Sequence, residues 1–239
     1  MSGASALLAE TKKRFESITG GRIVEAYSLT EAMMAVCANP VKGPGKPGSV
    51  GMPLPDVHVR IFDTEEGVRA LNVNEVGEIA ISAPQLMVGY WNRPDETAEV
   101  LRDHVDRRGT RRWLHTGDLG YMDDDGYVFI VDRKKDLIKT SGYQVWPREI
   151  EEVLAAHRAV ADVGVAGVAD PAKGEMVKAW VVLREGCSVS EADLRAYCRQ
   201  QLAPYKVPAA IEFRKELPKN MIGKVLRRSL REEERTRQK

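Results

Sequence analysis

The chain has 239 residues, enough for one large or two small domains at roughly 150 residues per domain. Its 43% hydrophobic and 30% charged residues support a buried core and exclude a disordered chain, and 36 Lys and Arg against 35 Asp and Glu leave a net charge of +1, which argues against a uniformly basic nucleic-acid binder. There is no run of apolar residues long enough to span a membrane, and Cys37, Cys187 and Cys198 lack metal-ligand spacing, so a reducing, cytoplasmic setting is expected.

Taken in chain order, Leu7, Leu8, Lys12, Phe15 and Ile18 predict a helix over 6–18, stopped by Gly20-Gly21. The N-terminus has no basic lead-in and is not read as a secretory signal. Ile23-Val24 reads as a short strand, and the Gly- and Pro-rich stretch 42–48 as a turn-rich connection. From Gly48 to Val131 the pattern is β. Val57, Val59 and Ile61 alternate with His58, Arg60 and Phe62; Glu78 to Ser82 alternates too; Tyr127 to Val131 is a buried-strand run. Frequent Gly and Pro between these strands suggest a small barrel or sandwich. Asp123-Asp124-Asp125-Gly126 is a turn, and the apolar residues after it exclude a calcium loop.

Past Asp132-Arg133-Lys134-Lys135-Asp136 helices and strands alternate. Pro147 starts a helix with Ile150, Val153 and Leu154 on one face; strands follow around Val163–Val165 and Trp180–Leu183. Ser190 caps a helix to Leu202 that turns Leu194, Tyr197, Cys198 and Leu202 inward, and Ile211–Phe213 is a short strand. The charged segment 226–239 reads as a solvated helix. The last hundred residues therefore read as a compact α+β domain.

Four constellations could carry chemistry, and each has a plainer reading. Tyr27-Ser28-Leu29-Thr30-Glu31 puts a ring, a hydroxyl and a carboxylate together for a base, a phosphate and Mg²⁺; a strand end before a capped helix uses the same residues. In Trp113-Leu114-His115-Thr116-Gly117-Asp118-Leu119-Gly120, an Asp in a Gly-flanked turn could accept both ribose hydroxyls, or merely cap its own turn. The five charges at 132–136 mark an exposed junction, either a domain hinge or a solvated turn, with Gly142 beyond it able to allow close approach of a backbone or ligand. In Pro218-Lys219-Asn220-Met221-Ile222-Gly223-Lys224, a loop lysine could reach an anion, or only water.

With Gly48-Ser49-Val50-Gly51-Met52-Pro53, Gly77-Glu78-Ile79 and Val88-Gly89-Tyr90-Trp91-Asn92-Arg93-Pro94 between them, these motifs follow one order. In that order the chain, from Ser2-Gly3-Ala4 to Lys224, resembles the adenylate-forming (AMP-binding) superfamily of acyl-CoA synthetases, aryl-CoA ligases, beetle luciferases and peptide-synthetase adenylation domains. The resemblance implies an α/β and α+β architecture. Residues 1–134 would be a remnant of the large N-terminal domain, an αβ piece plus a small β-barrel-like subdomain, and 135–239 a small, mobile α+β C-terminal domain. It implies that Tyr27 stacks on adenine, Thr30 contacts the adenylate phosphate, Glu31 binds Mg²⁺, and Asp118 and Arg133 hold the ribose. Ala4 and Ser5 would border the adenine and acyl pocket. Lys135 would be the hinge, Lys224 the lysine that attracts carboxylate and α-phosphate, and Gly142 with nearby Lys139 the CoA-binding, thioester-forming face.

The family's Ser/Thr/Gly-rich phosphate loop ending in Pro-Lys-Gly is not found in these 239 residues, and Ser28 stands where the family often has Gly. The chain is therefore expected to be the C-terminal portion of a synthetase, inactive without a missing N-terminal portion. Ser141-Gly142-Tyr143-Gln144-Val145-Trp146-Pro147 resembles the acyl-CoA and luciferase branch. The resemblance implies an acid–thiol ligase using ATP, Mg²⁺ and CoA on a small-molecule carboxylic acid, fatty or aryl, with no nucleic-acid partner. Two alternatives stay open: a non-catalytic interaction or regulatory module of the same fold, and an adenylation domain serving a carrier protein.

Overall fold

An extended strand cannot pair its own backbone N–H and C=O groups, and pairing them with neighbouring strands organises the first part of the chain into one sheet. The computed structural model describes residues 9–106, 109–221 and 223–237. The chain divides into two units, Met1–Lys134 and Lys135–Lys239.

The first unit opens with α1 (Ala9–Thr19), ended by Gly20 at φ +65°. Then come β1 (Ala26–Ser28), a 3₁₀ turn (Thr30–Ala32), β2 (Ala35–Ala38), β3 (Ser49–Pro53), β4 (His58–Phe62) and β5 (Gly77–Ser82). They are followed by α2 (Pro94–Val100), β6 (Leu101–Asp106), β7 (Gly109–Met122) and β8 (Val128–Arg133). The eight strands form one sheet in the order β1-β2-β3-β8-β7-β5-β4, with β6 also paired to β7; among the described residues the path does not return from β4 to β1.

Several local expectations need correction. Ile23 and Val24 precede the first strand, which begins at Ala26. α2 interrupts the stretch read as β throughout; Pro94 at its first turn fixes a helical φ, and Asp95 and Glu96 suit the positive end of the helix dipole. β5 is not half-exposed: all six of its residues are buried, because Ile79 and Ile81 pack into one core and Ala80 packs with Phe62 and Trp113 in another. Phe62, expected on the polar side of β4, is buried against His104, Trp113 and His115.

The second unit contains β9 (Ile138–Thr140), β10 (Tyr143–Val145), α3 (Pro147–Ala155), β11 (Val160–Asp170), β12 (Gly174–Leu183), α4 (Glu191–Arg199), β13 (Ala210–Phe213) and α5 (Arg227–Arg237). The strand order is β10-β9-β12-β11, and β13 adds to β12 in parallel. Alternation along β12 serves two cores. Val177, Ala179 and Val181 pack with Ile150, Leu154, Leu194 and Cys198 of α3 and α4. Trp180 faces the other way and packs with Leu217 and with Leu230 of α5. Ser190 caps α4 through a reciprocal capping box with Asp193. The last helix is thus not simply solvated. Leu230 is fully buried, worth about 1.5–3 kcal/mol, and Glu234 is buried with its carboxylate 2.8 Å from Lys178 Nζ.

Candidate active site

Asp118 lies in the long strand β7, not in a turn, and a bulge aims it. Between Glu78 and Ala80, β5 has one residue, while β7 has Thr116, Gly117 and Asp118 between the paired His115 and Leu119. The surplus bends the strand and redirects its side chains. Gly117 takes φ +70° at the bend, a conformation L side chains avoid. The Thr116 hydroxyl donates to the Ile79 carbonyl (2.7 Å) and accepts the Asp118 N–H (3.1 Å).

The Asp118 carboxylate, on a residue 6% exposed, has both oxygens engaged. Tyr27 Oη donates to Oδ2 at 2.5 Å, and Arg133 Nε, from the residue paired with Asp118 in β8, donates to Oδ1 at 3.1 Å. The structure therefore brings Tyr27, Asp118 and Arg133 together across β1, β7 and β8. Burial, reinforced by the neighbouring Asp118 charge, pushes the Tyr27 hydroxyl well above its ordinary value and keeps it a donor. The Tyr27 ring, expected to stack on a base, is itself buried among Ala32, Val36 and Cys37. What it visibly does is hold Asp118. The Arg133 side chain remains exposed.

Thr30 and Glu31 occupy the 3₁₀ turn after β1, with Thr30 exposed and Glu31 half-buried. The turn is tied to the segment before α2: Met87 N–H donates to the Glu31 carbonyl (2.7 Å) and Tyr90 Oη to Glu31 Oε1 (2.8 Å). Burial and the adjacent carboxylate push the Tyr90 hydroxyl up to about 12. Among the described residues no group of three or more His, Cys, Asp or Glu is arranged to hold a metal ion. A single carboxylate beside an exposed hydroxyl fits Mg²⁺ that takes its remaining ligands from nucleotide phosphates and water.

Sequence reasoning missed a polar cluster behind Asp118. Glu78, 4% exposed, accepts from the Gly117 N–H on Oε1 (3.1 Å) and from Lys134 Nζ on Oε2 (3.0 Å), where His115 Nδ1 also approaches to 3.4 Å. His115 Nε2 lies 3.0 Å from His104 Nε2. Burial works against the Glu78 charge, but His115 and Lys134 outweigh it and hold the carboxyl at about 2. The same desolvation, with His115 alongside, lowers His104. A glutamate inside an otherwise apolar strand, Glu78-Ile79-Ala80-Ile81, was the available signal, since such residues are rarely buried unpaired.

Most of the remaining candidates lie in the second unit. Lys135 is exposed in a 3₁₀ turn (Lys134–Asp136). Lys139 is exposed on β9, its N–H donating to Glu175 (2.7 Å). Ser141 (φ +49°) and Gly142 (φ +82°) form the two-residue turn joining β9 to β10. A methyl added at Gly142 would meet nothing within 4 Å, so the turn, not crowding, accounts for the glycine within this chain. Lys224 is exposed on a loop closed by Asn220 N–H to the Lys224 carbonyl and Lys224 N–H to Asn220 Oδ1, both 2.9 Å, and by the Lys219–Val225 bridge. Ala4 and Ser5 lie outside the described residues.

The AMP-binding enzyme family model matches residues 1–91, and the model for the AMP-binding enzyme C-terminal domain matches 149–224. The chain belongs to the AMP-binding enzyme family. It is 51% identical over 234 residues to the long-chain-fatty-acid–CoA ligase of Bacillus subtilis, covering 98% of this chain and 40% of that protein. It is 44% identical over 212 residues to the fatty acid–[acyl-carrier-protein] ligase ScoC of Streptomyces coeruleorubidus, covering 87% of this chain and 39% of that one. ATP-bound MatB from Rhodopseudomonas palustris superposes with a TM-score of 0.89 at 37% identity, over 97% of this chain and 44% of MatB. The chain thus spans about two-fifths of the length of the curated relatives it matches. Among the described residues no helix is long and apolar enough to cross a membrane.

Proposed function

We propose that this chain is the ribose-holding and mobile-domain part of an acid–thiol ligase that adenylates a long-chain fatty acid with ATP and passes the acyl group to CoA. The observation that carries the reading is the Tyr27–Asp118–Arg133 cluster, a buried carboxylate placed by a bulge and held from both sides. The 51% identity to a long-chain-fatty-acid–CoA ligase supports the substrate class.

In this reading Asp118 accepts the ribose hydroxyls and Arg133 completes that contact from the next strand. Tyr27 keeps the carboxylate oriented. The Thr30 hydroxyl donates to an α-phosphate oxygen. Glu31 would hold Mg²⁺, which would neutralise phosphate charge. Carboxylate and α-phosphate are both anions, and Lys224 is the mobile cation that offsets their repulsion where water is excluded. The carboxylate oxygen forms a bond to the α-phosphorus as pyrophosphate leaves. The thiolate of CoA then forms a bond to the acyl carbon as AMP leaves. The second unit turns about Lys135 between the two steps, withdrawing Lys224 and presenting Lys139 and the Gly142 turn to the thiol arm. Residues 1–134 are the end of a larger nucleotide-binding domain and 135–239 the domain that turns. The 44% identity to a ligase for acyl-carrier protein favours one second reading, in which a carrier's thiol replaces CoA.

The test replaces the matched portion of the B. subtilis ligase with this chain. The fused protein should release pyrophosphate with a long-chain fatty acid and form the CoA thioester. Lys224→Ala should slow adenylation by ~10²-fold, about the effect of losing one electrostatic stabiliser, while thioester formation from ready-made acyl adenylate persists. A cooperatively folding fusion with neither half-reaction would sink the proposal; thioester formed on a carrier protein but not on CoA would establish the second reading.

A further inference from the structure

The three residues at the boundary between the units are held very differently. On one side Lys134 Nζ is anchored within the first unit, 3.0 Å from Glu78 Oε2. On the other, Asp136 is clamped within the second unit: Oδ1 accepts from Arg231 Nη2 (3.0 Å) and Oδ2 from Arg227 Nη1 (3.3 Å). Arg227 continues the clamp with a two-pronged grip on Glu151 of α3, Nε to Oε1 at 2.9 Å and Nη2 to Oε2 at 2.6 Å. Arg231 Nη1 also donates to the Lys135 carbonyl (3.3 Å). That carbonyl belongs to the peptide plane after Lys135. The plane is tied to the second unit, so Lys135 is the last residue whose φ and ψ precede the clamp.

Arg227 and Arg231 open α5, and the Lys224 loop runs straight into that helix, with Leu226 N–H closing on the Pro218 carbonyl at 2.8 Å. Lys139, in contrast, follows Asp136 by three residues along the chain itself. Two-pronged guanidinium–carboxylate pairs fix direction as well as distance, and a network of them holds better than isolated surface pairs.

We propose that Asp136, Arg227 and Arg231 are positioning residues that confine the pivot to Lys135 and make the Lys224 loop move rigidly with it. This rests on the two-step reading above. The clamp serves the adenylation arrangement, because it ties the helix that follows the Lys224 loop to the residue after the pivot, whereas Lys219, 2.6 Å from Asp162 of β11, ties the other end of the loop to the sheet and Lys139 needs neither link.

The experiment has two arms. In the 239-residue chain, Asp136→Asn should raise amide exchange at 219–225 by about tenfold while β11 and β12 stay protected. In the fused enzyme the same change should slow adenylation by about tenfold yet alter thioester formation from ready-made adenylate by less than about twofold, with Asp136→Glu recovering part of the loss. Arg231→Gln, which removes the clamp from the other side, should reproduce both results should the first variant fold poorly. Unchanged exchange in the loop, or equal slowing of both half-reactions, would overturn the proposal. An unsubstituted fusion inactive in both half-reactions would instead bring down the functional reading itself, a result independent of the exchange arm.

Discussion

Asp118 sits on a long strand, 6% exposed, with each carboxylate oxygen bonded to a side chain from a different strand. Lys224 sits exposed on a loop shaped by the Asn220–Lys224 contacts, the bridge at its neck, the glycine before it at φ +81° and the Lys219–Asp162 ion pair. The first unit fixes its candidate group where the group stands. The second fixes a loop and leaves the unit to carry the group. In the proposed reading, a ribose recognised in every step calls for an acceptor that is already oriented. A cation needed in only one of two steps calls for one that can leave. The contrast predicts that substitutions in the first unit cost stability, whereas those on the second unit's turns cost one half-reaction.

The largest stability effect should come from Glu78, which backs the Asp118 bulge through Gly117 and anchors Lys134. Its carboxyl is held at about 2 against an ordinary 4.5. A depressed value contributes stability that is present above the ordinary value and is lost as pH falls through the folded one. Each tenfold change in a proton-binding constant is worth about 1.4 kcal/mol, so the contribution at neutral pH is roughly 3 kcal/mol. Glu78→Gln should therefore unfold at lower urea concentration than the parent at about pH 7, and the gap should close as pH falls from the ordinary 4.5 to about 2. A gap that does not change with pH would mean that Glu78 acts through packing, not charge.

A smaller loss is expected at Tyr27. Its hydroxyl donates to a buried carboxylate, and hydrogen bonds to charged groups contribute about 1.5–3 kcal/mol. Tyr27→Phe keeps the ring and removes the donor, so urea denaturation should show a loss of about 2 kcal/mol. A loss under ~0.5 kcal/mol would mean the Tyr27 hydroxyl contributes no more than an ordinary surface group, and would leave Asp118 held by the bulge and Arg133 alone.

Much of this contrast could be read from residue order, and the part that could not has definite causes. The Pro147 and Ser190 helix starts, the Asp123–Gly126 turn and the α+β pattern after Asp136 are local signals, and local signals survive folding. Tyr27, Asp118 and Arg133 were nameable because their motifs are distinctive, yet their meeting depends on a sheet that brings side chains 91 positions apart within hydrogen-bond reach. Asp118 looked like a turn residue because Gly117 and Gly120 flank it; the bulge that uses Gly117 is a matter of register, invisible without β5. The charges of α5 suggested a solvated helix because Leu230 alone is a weak apolar stripe, and its burial depends on Trp180 from β12. The Asp136–Arg227–Arg231 clamp also joins distant segments, and charges in a charge-rich stretch carry no label of their partners.

The smallest stability effect belongs to Gly142, where the two halves of the comparison can be separated in a single substitution. The residue closes a two-residue hairpin turn at φ +82°, so Ala there carries the left-handed backbone cost of about 1–2 kcal/mol. No neighbouring heavy atom lies within 4 Å of the added methyl, so no packing cost is added. If Gly142 also lines the path of a thiol arm, the methyl narrows that path without touching the nucleotide. In the fused enzyme Gly142→Ala should then slow thioester formation from ready-made adenylate by about tenfold, leaving pyrophosphate release within about twofold of the parent. Equal rates in both half-reactions, with the same modest fall in stability, would reduce Gly142 to a turn residue. The exposed face of the second unit would then owe its thioester role to Lys139 or to nothing on the β9–β10 hairpin.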